Sequence, residues 1–396
     1  MEMVYTTMLL LMQLLSGGTG PESGASHQMM ASYINGTAGK TIVSAPTTAV
    51  QPPDAGGGTF VKKDPQPDAP EVKGVYVTAH SAGGARLEKL LSLLNRTELN
   101  SMVIDVKDDF GYITYPTDNA ELLKMGTAKK YIKDMPALMT KLKENDVYPI
   151  ARIVVFKDTI LAAKNPELSF VRQDGSVWKN GKGDSFVNPY SKEVWDYNIA
   201  VAKEAVKLGF KEIQFDYVRF PEGFEKKADS LKYTKTDISR VDAVAGFVKY
   251  AREQMADLGV RVSVDIFGYA ASVPAAEGIG QDFVKISKYV DVISPMIYPS
   301  HYSTGWYGAK APDRAPYEVI KGSMIDTHKK LDPIGSHKPV IRPWIQDFTA
   351  SWLGKGNYMK YGKNEVEAQI KALNDTGVKE YLLWNAGNNY TEANYK

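Results

Sequence analysis

The sequence predicts an α/β fold, a parallel (β/α)8 TIM barrel behind a disordered N-terminal leader and linker. Three observations predict it. Between Val72 and Asn385, eight short apolar segments of strand length alternate with amphipathic helical segments. Three joints, Leu208-Gly209-Phe210, Leu258-Gly259-Val260 and Thr376-Gly377-Val378, end a helix on a Gly suited to left-handed backbone and start a strand at once, and Asn145-Asp146-Val147 fills the same slot. The connections at the other strand ends are long and polar, as closed parallel βαβ units require. An open doubly wound sheet is the alternative, but no Gly-x-Gly-x-x-Gly follows the first strand.

Taken in order, the chain opens with different material. Within residues 1–20, Met8 to Leu15 is an apolar run followed by Ser16, Gly17 and Gly18, like the core of a secretory signal, although Glu2 stands where positive charge is expected. Eight apolar residues cannot cross a bilayer core, which needs about 20, so no integral membrane span is expected. Residues 21–70 are rich in Gly, Ser, Thr and Pro and read as a flexible linker. The barrel is expected over residues 71–396. The signal-like run points to an extracellular or envelope location, with the cytoplasm as the alternative.

The first strand is Val72 to Ala79, followed by a loop from His80 to Gly84 and a helix from Arg86 to about Asn95. The second strand is Met102 to Lys107, with a polar turn at Asp108-Asp109-Phe110-Gly111; in its helix Met135, Leu138, Met139 and Leu142 make one apolar face. The third is Tyr148 to Phe156, apolar except for Arg152. The connection Lys157 to Val187 is long enough to be a lid, a binding loop or disordered. A helix from Ser191 to Leu208 leads to the fourth strand, Lys211 to Pro221. The next helix is expected to be capped by Thr236 or Asp237. Strand five is Val260 to Phe267, six Val290 to Tyr298, seven Pro339 to Ile345 and eight Lys379 to Asn385.

Composition excludes several functions. With 43% hydrophobic residues, 24% charged and a net charge of +2, the chain has no electrostatic pull toward nucleic acid. It has no Cys, which excludes disulfides, thiolate catalysis and Cys-ligated metal centres. Five scattered His residues without a His-x-His or His-Glu-x-x-His pattern leave no transition-metal site, and no cofactor is expected. Asp108-Asp109 could hold Ca²⁺ but lacks EF-hand spacing and reads as a solvated loop.

The period of two along a strand pairs Asp105 with Lys107, Gln214 with Asp216, Ser263 with Asp265, and Arg342 with Trp344 on faces that must point into the barrel. Polar groups facing outward would lie buried under helices. The expected cup therefore holds Asp216 and Asp265 on adjacent strands, the cations Lys107, Arg152, Arg219 and Arg342, and the aromatics Tyr298, Trp306, Trp344 and Trp384. Acids with aromatic faces suit a sugar: one carboxylate attacks or stabilises the anomeric carbon and one acid protonates the departing oxygen. The other reading of Asp216 is an ion pair with a neighbouring Arg that holds the mouth together. His301, a lone loop His, reads first as structural and second as a substrate contact.

Gln214-Phe-Asp-Tyr-Val-Arg-Phe-Pro221, with Asn188-Pro189, Gly74-Val-Tyr-Val, Ile104-Asp-Val-Lys-Asp108, Asp265-Ile-Phe-Gly268 and Ser294-Pro-Met-Ile-Tyr-Pro-Ser300, resembles the bacterial putative glycosyl hydrolase domain family. The likeness runs from Gly74 to Asn388 and implies a glycoside hydrolase-like barrel without naming a substrate. More distantly the chain is similar to the α-amylase superfamily arrangement, with an Asp nucleophile ending strand four and an acid ending strand five. It departs from that pattern in having Asp265 where Glu is usual, so Glu222 is kept as the alternative acid. The resulting expectation is a glycosidase on an oligo- or polysaccharide or cell-envelope glycan, with Asp216 and Asp265 catalytic. Asp105, Lys107, Arg152, Arg219, Tyr298, His301, Arg342, Trp344 and Trp384 position the substrate or the pair. A barrel that binds glycan without cleaving it is the second expectation. A third is an enzyme on a phosphorylated metabolite, with Asn385 to Asn389 as the cradle.

Overall fold

The computed structural model describes Gln66 and residues 68–395; the signal-like run and all of the linker up to Gln66 lie outside them. Eight parallel strands close into a barrel. They are β1 (Lys73–Val77), β2 (Ser101–Lys107), β3 (Tyr148–Val154), β4 (Glu212–Asp216), β5 (Arg261–Phe267), β6 (Val292–Met296), β7 (Val340–Ile341 and Trp344–Gln346) and β8 (Tyr381–Trp384). The helices that lead into β2 to β8 are α1 (Arg86–Asn95), α2 (Met135–Glu144), α3 (Lys192–Lys207), α4 (Arg240–Met255), α5 (Phe283–Ser287), α6 (Pro316–Leu331) and α7 (Lys363–Asp375). β7 is split at Arg342-Pro343, where proline has no N–H to give the sheet. Its two halves keep one register on β6, Val340 opposite Val292 and Trp344 opposite Met296. No helix among the described residues is long and apolar enough to cross a membrane.

The expected joints have the backbone that their residue types predict. Gly209, Gly259 and Gly377 have φ of 105°, 66° and 76°, and Asp146 takes φ 52° in the fourth case. The α2 face buries Met135, Leu138 and Leu142 against the barrel, and α3 buries Trp195, Ile199 and Ala202. Inside the barrel a smaller apolar layer forms from Val72, Tyr76, Val103, Tyr148, Ile150, Tyr298, Trp344 and Leu382.

Local details differ from the sequence reading. His80 lies in a short helix, Ala79–Ala82, because the Thr78 hydroxyl accepts the Ser81 N–H. α4 is capped by Ser239, not by Thr236 or Asp237: Ser239 Oγ accepts the Asp242 N–H at 3.0 Å, and that Ser-x-x-Asp pair fixes the start. The connection from Lys157 to Val187 is ordered. Asp158 caps a helix, Thr159–Lys164, and bridges pair Lys157 with Phe186, Ser169 with Val187, and Val171 with both Val177 and Lys232.

Candidate active site

The centre of the mouth is set by register. Phe215 of β4 and Val264 of β5 are the last pair of their ladder, and Asp216 and Asp265 follow, near enough for the charge of Asp216 to act on Asp265. Arg152 of β3 lies opposite Asp105 on one side and Gln214 on the other, which aims its guanidinium between the acids of β2 and β4. Its Nη1 donates to Asp105 Oδ1 at 2.7 Å, and Nη2 and Nε donate to Asp216 Oδ2 at 2.6 and 2.9 Å. Asp109 approaches the same guanidinium at 3.3 Å. The ion pair weighed for Asp216 is therefore present. It does not extend to Asp265, whose Oδ1 accepts the indole N–H of Trp344 at 2.7 Å.

Asp216 is fixed from its other side too. Its Oδ1 accepts the N–H of Tyr217 at 2.6 Å. Tyr217 has φ 51°, a left-handed conformation that bulky side chains rarely take and that marks a constrained site. Lys157 and Arg219 both lie over the Tyr217 ring at 4.9 Å.

The carboxyl groups differ electrostatically. Burial holds the Asp265 proton well above the usual carboxylate range, and the charge of Asp216 adds to the rise, against the Trp344 bond and Arg152. Burial lifts Asp105 to about 7 although Arg152 and the Tyr76 hydroxyl, 2.7 Å away, favour its charged form. Burial would raise Asp109 as well, but Arg152 and Lys157 outweigh it and bring it to about 2. Asp265 thus stands apart, bonded to an indole, while Asp105, Asp109 and Asp216 gather round one buried cation.

Facing the charged side is an aromatic wall. Tyr76 stacks on Trp384 at 4.1 Å, Trp344 stands edge-on to Trp384 at 5.4 Å, and Tyr298 is tilted to it at 6.4 Å. Arg152 sits over both Tyr76 and Trp384, at 5.5 and 5.6 Å, so it joins the two sides. His301 lies edge-on to Tyr298 at 5.1 Å with its Nδ1 3.0 Å from Ser300 Oγ.

Three expected site residues lie elsewhere. Lys107 does not share a face with Asp105, because the register slips by one residue between them and turns Lys107 outward. Fully buried under α3, it pairs with Asp158 at 2.6 Å and donates to Val154 O and Asn198 Oδ1. Arg342 is on an inward face but at the opposite end of the barrel, bonded to Glu212 and Glu380, both at 2.7 Å. Trp306 packs on Tyr302 and Tyr307 instead of entering the cup. At the rim, Glu222 pairs with Arg219 at 2.8 Å, and Arg219 lies over the Phe267 ring at 4.7 Å. The loop from Asn385 spends its polar groups internally: Gly387 N–H goes to Asn385 Oδ1, and Asn388 bonds Thr78 and Tyr76.

Sequence reasoning missed Tyr76, Asp109, Lys157 and Tyr217. Tyr76 was within reach, since the same period of two that places Asp105 applies from Gly74 to Tyr76. Asp109 reads from sequence as part of a solvated turn; Asp108 does form that turn, accepting the N–H groups of Phe110, Gly111 and Tyr112, and thereby turns Asp109 back to the cations. No signal marked the left-handed Tyr217.

Residues 74–390 match the model of a family described as a putative glycosyl hydrolase domain. No curated protein matches the chain. Among solved structures, a hypothetical protein from Ruminiclostridium thermocellum is 35% identical, over 48% of this chain and 96% of its own, with a TM-score of 0.44. The glycoside hydrolase domain of PgaB (BpsB) from Bordetella bronchiseptica is 13% identical over 80% of this chain and 94% of its own, with a TM-score of 0.55, a likeness of fold. The α-galactosidase TtGalA from Thermus thermophilus is 11% identical over 80% of this chain and 62% of its own, with a TM-score of 0.49.

Proposed function

The chain belongs to the putative glycosyl hydrolase domain family, and from that premise we propose that it hydrolyses O-glycosidic bonds in a polysaccharide or cell-envelope glycan through Asp216 and Asp265. One observation carries the reading: two buried carboxyl groups that follow the last pairing of β4 with β5, Asp265 with its proton favoured by burial and Asp216 seated on a guanidinium. Asp265 gives its proton to the departing glycosidic oxygen as the bond to the anomeric carbon breaks. The Asp216 carboxylate meets the positive charge that develops there, and the Asp265 carboxylate then takes a proton from the incoming water.

Asp216 attacks the anomeric carbon if the two carboxyl groups stand at the roughly 5–5.5 Å of retaining enzymes, and activates a water if they stand further apart. Glu222 is the weaker acid candidate, since it stands at the rim and is spent on a pair with Arg219 at 2.8 Å. Asp216→Asn should abolish release of reducing ends while the circular dichroism spectrum stays unchanged. Activity equal to wild type in that variant would reject the assignment.

One observation favours the second reading, a barrel that holds glycan without cutting it: Arg152 places two hydrogen bonds on the same oxygen of Asp216. That reading predicts retention on insoluble polysaccharide with no reducing ends released by the wild type.

A further inference from the structure

The aromatic wall continues outward past Tyr298. Phe348 lies edge-on to Tyr298 at 5.8 Å, and Trp352 stacks on Phe348 at 5.9 Å with 25° between the rings. Exposure rises along this line, from 4% at Tyr298 to 43% at Trp352. Both outer rings come from the connection after β7, on the carboxyl side of the barrel where the acids open.

The segment that carries them is pinned on both flanks. Asp347 accepts the N–H and hydroxyl of Thr391 at 2.7 and 2.6 Å, and Thr349 Oγ accepts the N–H of Tyr361 at 3.0 Å. Further along, Met359 N–H reaches Asp313 Oδ2 at 3.1 Å. Trp352 sits in the turn Ser351–Leu353 and is followed by Gly354 at φ 80°, a conformation that suits glycine and reverses the chain. A loop held this way loses little backbone freedom when a ligand covers its rings.

We propose that Phe348 and Trp352 form an outlying subsite for a gluco-configured pyranose unit, so that the substrate is a polymer laid across the β6 and β7 side of the mouth. The chemistry is that of a flat sugar whose equatorial hydroxyls leave an apolar C–H face to rest on an indole. A short oligosaccharide held at the acids alone would have no use for a platform two rings further out. For the nature of its ligand the inference rests on the glycosidase reading; binding and cleavage are separable in the test.

The test uses the full chain as wild type, Trp352→Ala, Trp352→Phe and Asp216→Asn. Each is run by affinity electrophoresis through gels containing hydroxyethyl cellulose, glycol chitin or laminarin, beside a reducing-end assay on the same polymers. Loss of one stacked ring should weaken retention of Trp352→Ala about 3- to 10-fold, with Trp352→Phe between it and wild type. Asp216→Asn keeps the gel polymer uncut, so that the two Trp352 substitutions can be repeated in it and read as binding alone. On oligosaccharides of increasing length, the Trp352→Ala effect should appear in KM for the long ones and vanish for the shortest, with kcat unchanged. Retention of Trp352→Ala equal to wild type, or no retention of the wild type on any of the three polymers, would overturn the subsite. A wild type that is retained but releases no reducing ends would instead reject the proposed hydrolysis and leave the subsite standing.

Discussion

The proton on Asp265 is held by opposing influences that can be removed one at a time. Burial and the neighbouring Asp216 favour the neutral acid, whereas the indole N–H of Trp344 favours the carboxylate. Trp344→Phe deletes that donor and leaves the ring, so the acid should hold its proton to a higher pH. The alkaline limb of kcat/KM then moves up by about one unit, the worth of one hydrogen bond to a charged group. A limb that stays in place or moves down would show that Asp265 is not the titrating acid. Asp105 gives a stability prediction with a definite sign. Its folded pKa of about 7 lies above the ordinary 3.8, so the folded chain binds the proton more tightly. The stability this gives is full below about pH 4 and is lost as the pH rises through about 7. Asp109, brought down to about 2, acts oppositely, with stability present above its ordinary pKa and lost as the pH falls toward 2. Asp105→Asn should therefore flatten the decline in unfolding free energy between about pH 4 and 7, by up to about 4 kcal/mol for three pKa units. Urea curves at fixed pH would read it, and an equal slope in the variant would remove Asp105 as the source.

At the scale of elements, glycines at the joints and in the turns do different work. Gly377 ends α7 with φ 76° and has nothing near its missing side chain, so Gly377→Ala should cost only the backbone term, about 1 kcal/mol. Gly111 also has positive φ, but a Cβ there would lie 1.9 Å from Asp158 Oδ1. Gly111→Ala must push Asp158 away from the buried ammonium of Lys107, and disturbing such a pair costs about 3 kcal/mol or more. Thermal unfolding of the two variants should separate them clearly; equal losses would mean that Asp158 moves aside freely. The same elements show what the sequence could carry. Helix stops at Gly209, Gly259 and Gly377 are local chemistry, visible in a few residues, and with them came the order of strands and helices. The face of Lys107 depended on a one-residue slip between β2 and β3, which is decided by the paired strand and leaves no mark on either segment alone. Lys157 and Asp109 meet only because the turn at Asp108 and the connection beyond β3 fold onto the same rim.

For the molecule as a whole, a barrel divides its polar interior between two ends, and period-two counting along a strand cannot say which end a residue occupies. Arg152 and Arg342 look alike in sequence, single cations in apolar strands, but one joins the acids of the mouth and the other closes the far end with Glu212 and Glu380. Function is expected at the carboxyl end and stability at the amino end. Arg342→Met tests the division. It leaves Glu212 wholly buried without its cation, at a cost of about 3–5 kcal/mol that should appear as a lower Tm. Adding Glu212→Gln removes the stranded charge and should recover part of that loss. Below the melting range, kcat per folded molecule should stay at the wild-type level in both variants, because Arg342 has no bond to Asp216 or Asp265. Arg152→Met should lower both quantities, since its partners are the mouth acids themselves. A ten-fold or greater fall in kcat for Arg342→Met, with the fold intact at the assay temperature, would return Arg342 to the role in positioning the pair that its strand suggested, and would mean that the two ends of the barrel act on the chemistry together.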